Sequence, residues 1–187
     1  MQIAIVGPGG IGSTFAFQLS AAGHDVTVIA RGTRLEQLRH AGAIVTVEGE
    51  RAAVNVSGDF DTTTEWDLVL VTVLVSQVDT LLPALSASAA KSMMFMFNTF
   101  QSLDRLRDAV GPQRFAFGFP AIGACLDDGR LSSTIIRRGM LTMVSGNCAG
   151  GHRREHRAAT RNRYLPGGSR QVGTRHEGRV SAGAPPR

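Results

Sequence analysis

Lysine is nearly missing from this chain of 187 residues: Lys91 stands alone against 19 arginines. The bias fits a GC-rich gene. It matters for chemistry because lysine is the cation whose proton affinity burial readily tunes. Cysteine is scarce too. Cys125 and Cys148 lie 23 positions apart, and neither belongs to a CxxC pair. That excludes a disulfide scaffold and a cysteine metal framework, and it predicts a reducing, cytoplasmic setting. No apolar run approaches the ~18–20 residues of a bilayer span. The longest, Leu68 to Val75, is interrupted by Thr72 and reads as a buried strand, so no membrane partner is expected. The opening Met1-Gln2-Ile3-Ala4-Ile5-Val6-Gly7 has neither a basic n-region nor a cleavage site, so no secretion signal is expected.

Hydrophobic residues make up 43% of the chain and charged residues 19%, enough for a real core and too apolar for global disorder. The net charge of +5 is unevenly placed. Residues 148–187 carry nine Arg against Glu155 and Glu177, whereas residues 1–147 carry 11 basic and 13 acidic groups and are mildly acidic. The basic balance therefore belongs to the tail, and the body is not expected to bind nucleic acid specifically.

Gln2 to Val6 reads as a strand buried on both faces, ending at a glycine. Phe15, Ala16, Leu19 and Ala22 then recur at helical spacing, with Gly23 in the position of a C′ glycine. Val26 to Ala30 is a second strand. Thr33 and Glu36 form a candidate capping box for a helix ending at Gly42. Ala43–Val47 and Ala52–Val56 suggest a hairpin around Glu48-Gly49-Glu50. Asp67–Val73, Ser92–Phe97, Phe115–Phe119, Ser133–Ile136 and Leu141–Val144 are further strand candidates, and Asp127-Asp128-Gly129 is a candidate hairpin turn. Helices are expected over Gln77–Ser86, capped by Ser76 and kinked or shortened at Pro83, and over Ser102–Val110, closed by Gly111-Pro112.

This alternation predicts an α/β, Rossmann-type, doubly wound and mainly parallel sheet over residues 1–147. Residues 148–187 contain seven Gly, three Pro and nine Arg, with Tyr164-Leu165 the only adjacent pair of large apolar residues. They cannot bury enough apolar surface to offset chain entropy, which predicts a disordered basic tail.

Gly7-Pro8-Gly9-Gly10-Ile11-Gly12 has the GxGxxG pattern between a strand and a helix, the context in which that pattern signals a dinucleotide. Gly7 suits the tight turn, Gly9 the close approach of a pyrophosphate to the backbone, and Gly12 close packing of helix on strand. An NAD-preferring site has an acid at the end of the second strand. The corresponding residues, Ile29-Ala30-Arg31-Gly32-Thr33, include no carboxylate and do include Arg31, whose planar cation suits the 2′-phosphate of NADP(H). Thr33 and Arg34 are further candidates for that phosphate.

GPGGIGSTFAFQLSAAGHDVTVIARGTRLEQL, DLVLVTVLVSQVDTLLPAL, FMFNTFQSLDRL and FGFPAIGACLDDGRL together resemble the N-terminal half of the ketopantoate reductase family, over residues 1 to about 147. The resemblance implies NADPH-dependent reduction of a small 2-oxo acid to a 2-hydroxy acid in pantothenate biosynthesis. It implies cofactor contacts from Gly7, Pro8, Gly9, Gly10, Ile11, Gly12 and Arg31. It places Asn98 where cofactor and substrate meet, and Ala124 where the family again approaches the cofactor. The family pattern has a lysine where this chain has Leu74, and a glycine where it has Thr99. The family's catalytic lysine lies in a helical C-terminal domain with no counterpart in residues 148–187, whose loss of apolar periodicity suggests a shifted reading frame. That domain carries much of the family's dimer contact, so a homodimer stays an open alternative.

Hydride addition to a ketone needs an acid to meet the charge on oxygen, and arginine is a poor proton donor at neutral pH. Lys91 reads as a solvated loop residue on the side away from the cofactor, so no catalytic residue is assigned and impaired turnover is expected. His152 and His156 match H-x-x-E-H, but Arg153, Arg154 and Arg157 surround them, and no metal site is expected. Two function classes stay open: the reductase, and a non-catalytic NADP(H)-binding or interaction protein whose basic tail contacts a polyanion.

Overall fold

A computed structural model describes residues 1–135 and 144–145 of the chain. The first strand, β1 (Gln2–Val6), shows why the core has two sides. Ile3 and Ile5 point into one apolar layer, Ala4 and Val6 into the other, and all four are buried. Period-two alternation with both faces apolar is what a strand covered by helices on each side requires. The loop after β1 enters α1 (Gly10–Ala21), followed by β2 (Asp25–Ile29) and α2 (Gly32–Ala41). Three short strands come next: β3 (Ala43–Val45), β4 (Arg51–Ala53) and β5 (Asn55–Ser57). Then β6 (Leu68–Val71) leads through a 3₁₀ turn at Val75–Gln77 into α3 (Val78–Ala87). The remaining elements are β7 (Met93–Met96), α4 (Asp104–Val110), β8 (Phe115–Gly118), β9 (Ile122–Asp127), β10 (Arg130–Ile135) and β11 (Val144–Ser145).

Six strands pair in parallel in the order β8-β7-β6-β1-β2-β5, and β11 adds antiparallel to β8. The chain winds outward from β1 through β2 to β5, then returns to β6 on the other side of β1. This is the Rossmann-type, doubly wound arrangement, with its switch point between β1 and β6. One core layer gathers Val69, Val71, Val78, Leu85, Phe95, Leu106 and Phe117 beneath α3 and α4. Within it Phe95, Phe97 and Phe117 meet edge to face, with ring centroids 5.6 to 6.2 Å apart. The other layer gathers Ile3, Ile5, Val26, Val28, Leu38, Ile44 and Leu131 around α1 and α2. Trp66, just ahead of β6, is buried and donates its Nε1–H to the Asp61 carbonyl at 3.0 Å.

Several expectations shift. Thr33 does not cap α2. The helix begins earlier, with Arg31 at the N-cap position, and no side chain bonds the cap. Gly32, at φ +53°, makes the sharp entry and carries Thr33 into the helix proper. The C-terminal expectation holds, since Gly42 adopts a left-handed φ of +60° and donates to Leu38 O. The expected second hairpin arm divides at Val54: β4 pairs with β3, while β5 joins the edge of the main sheet beside β2. Ser76 lies inside the 3₁₀ turn and not at a helix cap, and Pro83 does not end α3. Ala22 is exposed, and α1 buries Gly12, Ser13, Thr14 and Ala16. Its polar buried pair is satisfied locally, with Ser13 Oγ donating to Pro8 O at 2.9 Å and Thr14 Oγ1 to Gly10 O at 2.8 Å.

The strand Ile122–Asp127 was not expected. It pairs antiparallel with β10 through the turn Asp128-Gly129, whose φ values of +44° and +74° are those of a tight hairpin with two left-handed residues. The strand candidate at Leu141–Val144 falls largely outside the described residues. The 147/148 boundary, Cys148, the H-x-x-E-H segment and the tail lie wholly outside them.

Candidate functional site

At the C-terminal end of β1 the chain turns at Gly7, which has φ +88° and donates its N–H to Ile29 O on β2 at 3.1 Å. A Cβ on Gly7 would sit 2.5 Å from Val73 Cγ1, so glycine is required twice over, by conformation and by space. Gly12 is equally constrained: a Cβ there would lie 2.6 Å from Gly7 O and would run into Thr72 Oγ1. The Thr72 hydroxyl donates to Gly7 O at 2.8 Å, with Val6 O at 3.1 Å, and so ties the end of β6 to the loop. Gly9 differs. No atom lies within 4 Å of where its Cβ would be. Its open face looks into space rather than into the protein, while its N–H is turned back onto Gly7 O at 2.8 Å.

That space is a cleft of about 1030 Å³ at the switch point. Gly7 to Ile11 form its floor, and Ala30, Arg31, Thr33, Arg34 and Gln37 form one wall. Thr72, Val73, Leu74 and Leu81 form another, Asp59 and Phe60 follow β5 at the rim, and Asp128 and Gly129 reach in from the hairpin. The size lies at the upper end for small-molecule sites. The first turn of α1 brings Gly10 and Ile11 to this cleft, and its first backbone N–H groups have no intrahelical acceptor, which favours an anion.

The two arginines of the wall are treated differently. Arg31 is exposed, lines the cleft and makes no side-chain hydrogen bond to any described residue. Arg34 is half-buried and committed to the protein. Its Nε donates to Pro8 O at 3.1 Å, its Nη2 to Ser13 Oγ at 3.0 Å, and its Nη1 to Gly129 O at 2.8 Å. A longer contact of 3.4 Å joins Nη1 to Gln37 Oε1. Burial draws its proton affinity below that of a free guanidinium. Three of the five N–H donors of Arg34 are thus held by the protein at 3.1 Å or less, while its side chain also lines the cleft.

Of the residues singled out in the sequence, Gly7, Pro8, Gly9, Gly10, Ile11 and Arg31 come together in the cleft. Gly12 packs beneath it. Asn98 follows β7 on the same edge of the sheet, is exposed and does not line the cleft. Ala124, on β9, packs against α1: its carbonyl would lie 2.7 Å from a Cβ on Gly10, and it too stands outside the lining. Leu74 lines the cleft with its side chain largely exposed. Lys91 lies at the opposite edge, where its Nζ meets Asp67 Oδ1 at 2.8 Å and the Gln2 N–H donates to Asp67 Oδ2 at 2.9 Å. The Lys91 ammonium, and then the Gln2 N–H, hold the Asp67 carboxyl below its usual range, and the same pairing raises Lys91.

The residues present fit a dinucleotide: an open glycine face, helix N–H groups without an intrahelical acceptor, a guanidinium with no hydrogen bond among the described residues, and a long trough between them. Sequence reading missed Asp59, which the β5 crossover brings to the rim, and the clamp made by Arg34, whose acceptors include a carbonyl 95 positions away.

A model of the ketopantoate reductase PanE/ApbA family matches residues 3–148. A 2-dehydropantoate 2-reductase of Bacillus subtilis (strain 168) is 31% identical over 111 residues, which is 58% of this chain and 36% of that protein. One from Vibrio cholerae serotype O1 is 28% identical over 141 residues, or 72% of this chain and 42% of that protein. Among solved structures, a PanE/ApbA family ketopantoate reductase from Ralstonia eutropha JMP134 superposes with a TM-score of 0.63 at 26% identity, covering 76% of this chain and 49% of its own. The chain spans less than half the length of these relatives.

Proposed function

The chain belongs to the ketopantoate reductase PanE/ApbA family, and on that premise we propose that residues 1–147 are the nucleotide-binding part of an NADPH-dependent oxidoreductase. Its substrate is a small 2-oxo acid, and its reaction is that of a 2-dehydropantoate 2-reductase in pantothenate biosynthesis. The observation that carries the cofactor is the pairing of an open glycine loop with Arg31 at the end of β2, which makes no side-chain hydrogen bond among the described residues. The pyrophosphate would lie against Gly9, Gly10 and Ile11, where the helix supplies N–H donors. Arg31 would take the 2′-phosphate and offset the carboxylates of Asp59 and Asp128 in the same cleft.

When bound, reduced nicotinamide supplies the hydride for the carbonyl carbon. The chain must then meet the negative charge on the carbonyl oxygen. Leu74 cannot donate a hydrogen bond, and Lys91 is engaged at the far edge of the sheet. Among the described residues no lysine lines the cleft. This chain by itself accordingly binds the nucleotide and turns substrate over poorly, and Asn98 is the polar residue at the sheet edge that a substrate would meet beyond the nicotinamide.

Calorimetric titration with NADPH and NADH tests the cofactor. Tighter binding of NADPH, abolished as a preference by Arg31→Ala, is expected, and equal affinities in the unaltered protein would overturn it. Turnover of 2-dehydropantoate by the 187-residue chain, at rates typical of such enzymes, would overturn the missing-acid reading.

A further inference from the structure

We infer that Arg34 is a positioning residue that holds the glycine loop in its binding shape by clamping the Pro8 carbonyl between α2 and the β9–β10 hairpin. The inference rests on the nucleotide reading above and deepens it. A glycine-rich loop has little intrinsic stiffness, because glycine populates more backbone states than any other residue. Pro8, between Gly7 and Gly9, has no N–H, so its carbonyl is the only main-chain polar group it offers as a handle. Two donors converge on that carbonyl: Arg34 Nε at 3.1 Å and Ser13 Oγ at 2.9 Å. The Ser13 hydroxyl in turn accepts from Arg34 Nη2 at 3.0 Å, closing a ring of three groups, and Ser13 is fully buried.

The other side of the guanidinium is anchored far away in sequence, on Gly129 O at 2.8 Å. Gly129 cannot be replaced freely, because at φ +74° a Cβ would press on Gln37 Cδ at 2.9 Å. One planar cation thus joins three segments that share no secondary structure: the loop after β1, the first turn of α2 and the hairpin turn. A lysine could satisfy one of these acceptors but lacks the fork that reaches all three. Arg31, three residues earlier, serves the ligand, while Arg34 serves the loop that receives it.

The two roles separate by ligand. A residue that touches the 2′-phosphate weakens NADPH and spares NADH. One that shapes the pyrophosphate loop weakens both alike. The experiment is titration of the full chain and its Arg34→Ala, Arg34→Lys, Ser13→Ala and Arg31→Ala variants with NADPH, NADH and adenosine 2′-monophosphate, with circular dichroism confirming the fold.

For Arg34→Ala the expected result is a loss of about tenfold for both dinucleotides, the scale of one charge-assisted hydrogen bond. The NADPH-to-NADH ratio should be unchanged and the 2′-monophosphate, which has no pyrophosphate, little affected. Arg34→Lys should not restore affinity, and Ser13→Ala should show a smaller loss with the same unchanged ratio. Selective loss of NADPH in Arg34→Ala, or no loss of either nucleotide, would overturn the inference. If Arg34→Ala does not fold, Ser13→Ala decides, and its binding both dinucleotides as tightly as the unaltered protein would overturn it. Failure of the unaltered protein to bind any of the three ligands would instead overturn the nucleotide reading, and this inference with it.

Discussion

Where β1, β6 and β7 begin, polar groups close on one another: the Lys91 ammonium, the Asp67 carboxylate and the Gln2 N–H form one cluster, and the Asp61 loop folds over Trp66 beside it. Where β1, β2 and β6 end, comparable groups stay open: Arg31 makes no side-chain hydrogen bond to any described residue, Gly9 faces open space, and the first turn of α1 presents Gly10 and Ile11 to the cleft. Both edges belong to one sheet and carry groups of similar chemistry. At one edge the protein satisfies its charge, and at the other it leaves the charge for a ligand.

The most damaging way to break that contrast is Gly12→Val. Its side chain would meet Gly7 O and Thr72 Oγ1 beneath the loop. A loss of about 1–3 kcal/mol of stability is expected from overpacking alone, and more from the displaced loop, with nucleotide binding abolished. Thermal unfolding and titration of the same sample check both. Arg31→Ala comes next. It removes no hydrogen bond or ion pair within the described residues, so the unfolding midpoint should hold while NADPH affinity falls about 10- to 100-fold, the range of a charged hydrogen bond. A fall in the midpoint would show that the open edge was less open than it looks.

The open edge was largely legible in the sequence because its signals are local. Gly7, Gly9 and Gly12 each follow from a turn, a ligand approach or a packing contact within a dozen residues. Arg31 follows from its place after the second strand. The hairpin was less legible. Gly123 and Ala124 are weak strand formers, so β9 shows only through its pairing with β10 and its packing on α1. The protein contacts of Arg34 were hidden for the same reason. Its spacing suggests a phosphate contact, and its bonds to the Pro8 and Gly129 carbonyls cannot be seen without the fold. The capping box failed because a glycine with positive φ moved the helix start.

Smaller effects sharpen the closed edge. Hydrogen bonds from the Thr64 and Thr63 hydroxyls and the Thr63 N–H hold the Asp61 carboxyl down to about 2, against 3.8 when free. A depressed folded-state pKa stabilises the fold above the free value, and that contribution is lost as pH falls through the folded one. Stability should therefore decline between about pH 4 and pH 2, and Asp61→Asn should flatten that part of the profile, as acid titration of the circular dichroism signal would show. The least effect is expected from Lys91→Met. Its ion pair is exposed, and such pairs contribute little. A slight fall in midpoint and unchanged affinity for both nucleotides are the expected outcomes. A change in nucleotide affinity would mean that the two edges communicate.

Trp66 gives that question an optical answer. It is the chain's one indole, and although it lies six residues before Thr72 in sequence, its Nε1–H holds the Asp61 carbonyl, one residue from Phe60 in the cleft lining. Its fluorescence should report denaturation, and a spectral shift when oxidised nucleotide is added would report movement of the loop from Asp59 to Asp61 at the cleft rim.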